Sequence, residues 1–254
     1  MNPIPGAPHV IIHPDRIASG RASAEHVVEL LSNIITHEGQ ARVIFACAPS
    51  QNAFLDALVE LSQNRVDWSK VHGFHMDEYI GITPDHPASF RHYLHAHLLS
   101  RVSLGSFQPI VAEAKDPEAE CRRYAALIDA APIDLICLGI GENGHLAFND
   151  PPVADFEDPV SAKIVELDLT CREQQVHDGC FPSLADVPKL AISLTMPVFR
   201  RARHLNVVVP GERKAAAIRG TILGEITTEC PSSILRTHPN VTLFLDYDSA
   251  SLLS

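Results

Sequence analysis

Among its six cysteines, Cys47, Cys121, Cys137, Cys171, Cys180 and Cys230, this 254-residue chain has no C-x-x-C pair and no zinc-ribbon spacing. Common thiol redox and structural zinc motifs are thereby excluded, and reduced cysteines in the core are expected. No apolar run reaches the roughly 20 residues a membrane helix needs, and Met1 to His9 lacks the basic start and long apolar stretch of a secretory leader. A cytoplasmic protein without a membrane partner is expected. Positive charge is also scarce: 20 Lys and Arg face 31 Asp and Glu, for a net charge of -11. That balance argues against nucleic acid or an anionic membrane surface as a partner. An acidic chain that binds an anion must gather its few cations locally.

What is present reads as alternating strands and helices without repeats or low-complexity linkers, so residues 1–254 are expected to form one domain. The pattern predicts strands over 42–47, 71–76, 133–139, 163–167, 204–209 and 241–246. It predicts helices over 23–36, 51–61, 89–99, 117–130 and 212–219. Apolar strands in βαβα order imply an α/β fold, a doubly wound, mostly parallel sheet with helices on both faces. The stretch from Pro151 to Pro182 is less regular and reads as an active-site loop or lid.

The most informative segment is Leu138-Gly-Ile-Gly-Glu-Asn-Gly-His-Leu-Ala-Phe-Asn-Asp-Pro151, where an apolar strand runs into glycines, a histidine and a carboxylate. Glycines let the backbone turn sharply and approach a ligand. His145 and Asp150 supply a proton carrier and an acid within one loop. Gly139, Gly141 and Gly144 also match a G-x-G-x-x-G dinucleotide fingerprint, but Pro151 and Pro152 would break the long helix that such a site requires.

A second strand ends in Met76-Asp-Glu-Tyr79, and a third in Phe45-Ala-Cys-Ala-Pro-Ser50, just before a helix. Ligands of open α/β sheets sit outside the carboxyl ends of the strands, so three such ends can converge on one pocket. Alone, Asp77 or Glu78 would be read as a turn cap and Ser50 as a helix N-cap. At a strand-to-helix turn, Ser50 equally suits an anion. His92, His95 and His97 crowd one segment, but no acid stands beside them, and a half-exposed helix face is favoured over a metal site.

Met76-Asp-Glu-Tyr-Ile-Gly81 together with Gly139-Ile-Gly-Glu-Asn-Gly-His-Leu-Ala-Phe-Asn-Asp-Pro151 resembles the glucosamine-6-phosphate deaminase/isomerase family, related to the 6-phosphogluconolactonases. The resemblance extends to His86-Pro-Ala-Ser-Phe90, Val187-Pro-Lys-Leu-Ala191, Gly211-Glu-Arg-Lys214 and Ser233-Ile-Leu-Arg-Thr-His-Pro239. It implies a doubly wound fold like that of ribose-5-phosphate isomerase and the CoA transferases. The activity it implies is conversion of an amino sugar phosphate, glucosamine 6-phosphate, to fructose 6-phosphate and ammonia, without cofactor or metal. A phosphosugar lactonase and a non-catalytic sugar-phosphate binder are the alternatives, and a homo-oligomer is compatible with the sequence.

By this resemblance Asp77 is the base between C2 and C1, and His145 serves ring opening, held by Asn143 and Asp150. Ser50, Glu78, Gly144, Arg172 and Lys214 are expected to bind substrate or its phosphate. The chain departs from the family pattern in three places: Cys47, Ala48 and Pro49 stand where a threonine and glycines are expected, Asp150 stands for a glutamate, and His177 or Asp178 falls near the place of a phosphate-binding arginine.

Overall fold

The computed structural model describes residues 8–151 and 153–253. The elements run in chain order as β1 (His9–His13), α1 (Arg16–Glu38), β2 (Ala41–Phe45), α2 (Asn52–Leu61), β3 (Val71–His75), β4 (Asp77–Tyr79) and α3 (Phe90–Leu94). They continue as β5 (Ser106–Gln108), α4 (Pro117–Asp129), β6 (Leu135–Leu138), β7 (Ala162–Glu166), α5 (Leu169–His177), β8 (Leu190–Leu194), α6 (Met196–Arg201), β9 (His204–Val209), α7 (Ala215–Leu223) and β10 (Val241–Asp246).

Seven strands form one parallel sheet in the order β1-β10-β9-β6-β2-β3-β5, and β4-β8-β7 form a smaller antiparallel sheet. Alternation along the central strands explains why both faces are covered. Val43, Phe45, Leu135, Cys137 and Val208 pack with α1 and α2, whereas Ile44, Ile136, Leu138, Val207 and Val209 pack with α4, α6 and α7. A strand buried on both faces reads as a near-continuous apolar run, which holds for β6 throughout and for β2 and β9 apart from Arg42, His204 and Asn206. The expected doubly wound fold is therefore observed.

Three departures from the sequence expectation have local causes. Helix α1 begins at Arg16 rather than Ser23, because Asp15 caps it by accepting from the N–H groups of Ile17 and Ala18, and Gly20 is a contact rather than a break. A Cβ on Gly20 would lie 2.8 Å from the backbone of Ala53 and Phe54, so this glycine lets α1 and α2 approach closely. The predicted 89–99 helix keeps α-geometry only to Leu94 and then winds as a π-turn over His95–Leu99. Besides the expected strand, observed as β7 of the small sheet, the stretch from Pro151 to Pro182 holds helix α5, whose Cys171, Gln174 and Gln175 are buried. Strands β1, β5 and β8 are too short or too exposed at one end to register as alternating patterns. Met1–Ala7 of the N-terminal segment lie outside the described residues. Among those described, no helix is long and apolar enough to cross a membrane.

Candidate active site

Chain order moves outward from β2 through β3 to β5, then returns to the other side of β2 with β6 and continues to β9, so the topological switch lies between β2 and β6. At such a point the loops leaving the carboxyl ends part and open a crevice. The turn after β2 brings Ser50, β3 runs through Met76 into Asp77, the loop after β6 brings His145, and the loop after β9 brings Lys214. These four side chains line one pocket.

The β6 loop is built by backbone necessity. Gly144 has φ +85°, a left-handed conformation that costs glycine little, and its N–H donates to Gly141 O while its carbonyl accepts from Ser232 N. Gly141 must be glycine for another reason: a Cβ there would meet the His145 imidazole at 2.2 Å. Asn143 Oδ1 accepts from His145 N at 3.1 Å, and Asn143 Nδ2 donates to Asp150 Oδ1 at 3.0 Å. His145 Nδ1 stands 2.9 Å from the same carboxylate oxygen, within ion-pair distance though off the straight line of an N–H donor. The shorter acid thus reaches the histidine.

Asn149 and Phe148 clamp this loop to the small sheet. Asn149 Nδ2 donates to Leu146 O at 2.8 Å and to Leu194 O at 2.7 Å, and Phe148 N donates to Ser193 Oγ at 3.1 Å. Just before Phe148, Ala147 lines the pocket at φ +52°, a left-handed conformation rare for a residue with a side chain. Strain of this kind is held at functional sites when the surroundings over-determine it.

The two carboxylates at the heart of the site are driven in opposite directions. Asp77 is buried, and desolvation first, then the neighbouring charges of Glu78 and Asp150, push its carboxyl well above the ordinary aspartate range. Burial would also raise Asp150, but the adjacent His145 imidazole, the Asn143 amide and the Asp168 N–H outweigh it and hold Asp150 below the ordinary value. One acid is thereby poised to accept a proton, and the other stays ionised beside the imidazole. Cys171 completes the one trio among the described residues, with His145 and Asp150, whose ligand atoms lie within 4.8 Å of one another. Its buried thiol is pushed well above the usual range, first by desolvation and then by Asp150.

At the opposite end of the pocket Lys214 is buried rather than a surface lysine at a helix start, and desolvation lowers its ammonium pKa against the raising fields of Asp178 and Glu142. Ser50 does not cap α2, whose N-terminus has no side-chain cap bond. Its Oγ instead accepts from Gln51 Nε2 at 3.3 Å, and the same Nε2 donates to Val208 O at 3.2 Å. The hydroxyl proton is left to donate elsewhere.

Three expected binding residues are not at the pocket. Glu78 faces the opposite way from Asp77, as adjacent strand residues must; its fully buried carboxylate accepts from Ser89 Oγ at 2.8 Å and, at 3.2 Å each, from Phe90 N, Arg91 N and Arg91 Nε. It caps α3. Arg172 donates to the carbonyls of Leu184 at 2.7 Å and Val187 at 3.2 Å, bracing the chain after α5. Gly144 serves the turn, with its N–H already committed.

Sequence reasoning missed Gln51, Gln174 and Gln175, all buried at the pocket. Gln174 Oε1 accepts from Glu142 N at 2.9 Å, and Gln175 Oε1 accepts from the Tyr79 hydroxyl at 2.8 Å. Gln174 and Gln175 lie on a short polar helix that carries no sequence signal of burial, so only the packing of α5 could reveal those two.

The comparisons agree with this geometry. The family model described as glucosamine-6-phosphate isomerases/6-phosphogluconolactonase matches residues 14–163. A glucosamine-6-phosphate deaminase of Geobacillus sp. (strain WCH70) is 40% identical over 194 residues, 75% of each chain. One of Listeria innocua serovar 6a is 36% identical over 233 residues, 91% of this chain and 96% of the relative. Among solved structures, a monomeric glucosamine-6-phosphate deaminase superposes with a TM-score of 0.87 at 26% identity, over 96% of this chain and 99% of that one. A 6-phosphogluconolactonase from Shewanella baltica OS155 shares the fold at a TM-score of 0.78 and 18% identity, over 96% and 100%. With more than half its length matched by that model and close relatives over most of the chain, this protein belongs to the glucosamine-6-phosphate isomerase/6-phosphogluconolactonase family.

Proposed function

We propose that this protein is an enzyme that converts glucosamine 6-phosphate and water to fructose 6-phosphate and ammonia. The observation that carries the reading is the meeting, in one pocket, of a carboxyl with a raised proton affinity, a histidine paired with an ionised acid, and a buried lysine beside a free serine hydroxyl. The deaminase relatives and the deaminase structure support it over lactone hydrolysis, since the lactonase likeness is one of fold.

The chemistry assigns each group a proton. His145 takes the C1 hydroxyl proton and returns one to the ring oxygen, opening the sugar; Asn143 and Asp150 hold its ring for that shuttle. Asp77 then takes the C2 proton, giving an enolamine, and delivers a proton to C1, giving an imine at C2. Water adds at C2, the nitrogen gains a proton, and the C2–N bond breaks to release ammonia and the ketose. A base with raised proton affinity suits a weakly acidic C–H, and each such positioned transfer contributes roughly 10²–10⁴-fold. Lys214 Nζ and Ser50 Oγ hold the phosphate as charge-assisted donors.

The test is ammonia release across a panel of hexosamine 6-phosphates, run beside hydrolysis of 6-phosphogluconolactone. Ammonia and fructose 6-phosphate from the gluco epimer are expected. Lactone hydrolysis without ammonia release would overturn the reading.

A further inference from the structure

Beside the catalytic pocket, and sharing Ser50 and Lys214 with it, lies a second cleft of about 330 Å³ between the start of α1, the turn after β2 and the loop after β9. Its charged lining is three cations, Arg16, Arg213 and Lys214, against three carboxylates, Glu142, Asp178 and Glu212. Asp178 falls near the place where the family resemblance leads one to expect an arginine. A doubly charged phosphate entering this end therefore meets an acid where a cation was expected, and the remaining cations decide whether it is attracted at all.

We infer that Arg16 is the second cation of the phosphate subsite, reaching from the first turn of α1 across Gly211 to stand with Lys214 and Ser50. The inference rests on the proposed sugar-phosphate reading. Arg16 lies against Gly211: this residue has φ +96°, is pinned by donating its N–H to both Asp246 carboxylate oxygens at 3.0 Å, and has the Arg16 guanidinium Nη2 3.5 Å from where its Cβ would project. Among the described residues Arg16 joins no ion pair within 4 Å, although three carboxylates line the same cleft. Its neighbour Asp15 is committed to capping α1. Arg213 is the competing cation; it is exposed, as Arg16 is, but it directly precedes Lys214 within a single 3₁₀ turn, Glu212–Lys214, so the two side chains diverge. Removing Arg16 leaves the cleft with two cations against three acids, a field that repels the dianion.

Guanidinium groups recognise phosphate oxygens with paired donors, which lysine cannot copy. Calorimetric titration of fructose 6-phosphate into Arg16→Ala, Arg16→Lys, Arg213→Ala and Lys214→Ala at fixed low salt separates the outcomes, with inorganic phosphate as a second probe. Arg16→Ala and Lys214→Ala should each weaken fructose 6-phosphate by about tenfold or more. Arg16→Lys should recover part of the loss, and Arg213→Ala should change affinity less than threefold, about the scale of an exposed charge contact. Weakening by Lys214→Ala with Arg16→Ala unchanged overturns the role of Arg16 and leaves the proposed function standing, as does an Arg213→Ala loss larger than that of Arg16→Ala. If neither Arg16→Ala nor Lys214→Ala alters the binding of either probe, the phosphate subsite and the sugar-phosphate reading fall together.

Discussion

Asp77 illustrates how one side chain can trade stability for reactivity. Its folded pKa lies above its unfolded value, so the fold favours the protonated form. That contribution is complete below about pH 4, the ordinary aspartate range, and is lost as pH rises through the elevated folded pKa. Once ionised, the buried carboxylate is a net cost. Asp77→Asn removes the charge with little change of shape, so it should raise Tm at pH 7, with the gain shrinking as pH falls toward 4. The same change should lower kcat by about 10²–10⁴-fold, the worth of a positioned base. Thermal unfolding across pH and steady-state ammonia release check the two halves; a variant that is both active and less stable at pH 7 would remove Asp77 from its role. Asp150 has the opposite sign: its depressed pKa adds stability above the unfolded value that is lost as pH falls through the folded one.

At the scale of elements, strand β4 divides two jobs between adjacent residues. Its alternation turns Asp77 to the pocket and Glu78 to the N-terminus of α3, where the carboxylate meets two backbone N–H groups, the Ser89 hydroxyl and Arg91. Arg91 is held further by Glu113 at 2.8 Å and by Ile82 O at 2.8 Å. Glu78→Gln should therefore cost about 1–3 kcal/mol of stability, the penalty for weakening buried hydrogen bonds to a charged acceptor. Because the Glu78 charge is one reason the Asp77 carboxyl is raised, the acid limb of the rate profile should also move to lower pH in this variant. Chemical denaturation and a pH series of kcat/KM measure both effects. An unshifted acid limb with full stability would contradict the division of labour.

At the scale of the whole molecule, the pocket exists because four loops from β2, β3, β6 and β9 leave the same edge of one parallel sheet, with the small sheet and α5 closing its side. A base and a cation brought together this way carry opposite shifts: Asp77 is raised and Lys214 is lowered, both first by burial. The pH profile of kcat/KM should accordingly be narrower than free side chains would give. Its acid limb should lie above about pH 4 as Asp77 loses its basic form, and its alkaline limb below about pH 10.4 as Lys214 loses its charge. The alkaline limb should reside in KM and vanish for a substrate analogue without phosphate. A profile with both limbs at the ordinary Asp and Lys values would show that neither group is buried in the working enzyme.

The amino-acid sequence by itself determined the layered α/β architecture, because strands buried on both faces read as near-continuous apolar runs and β2, β6 and β9 do, apart from Arg42, His204 and Asn206. It also carried Asp77, His145 and Ser50, since residues at the ends of such strands face the crevice, and Lys214 through the family resemblance. Tertiary structure alone decided which neighbour faces the pocket. The two-residue period of β4 sets Glu78 apart from Asp77, but which of them faces outward depends on β8 and α3. Residues of α5 reached the site in the same way: Gln174 and Gln175 were buried by packing that no local pattern encodes, while Arg172 was turned toward Leu184 and Val187. Arg16 lies some two hundred residues from Lys214 along the chain, and the two meet only because β1 and α1 close the far edge of the sheet beside β10 and β9. Long-range juxtaposition of this kind is a property of strand order, which is set by the summed burial of whole layers rather than by any segment's own pattern.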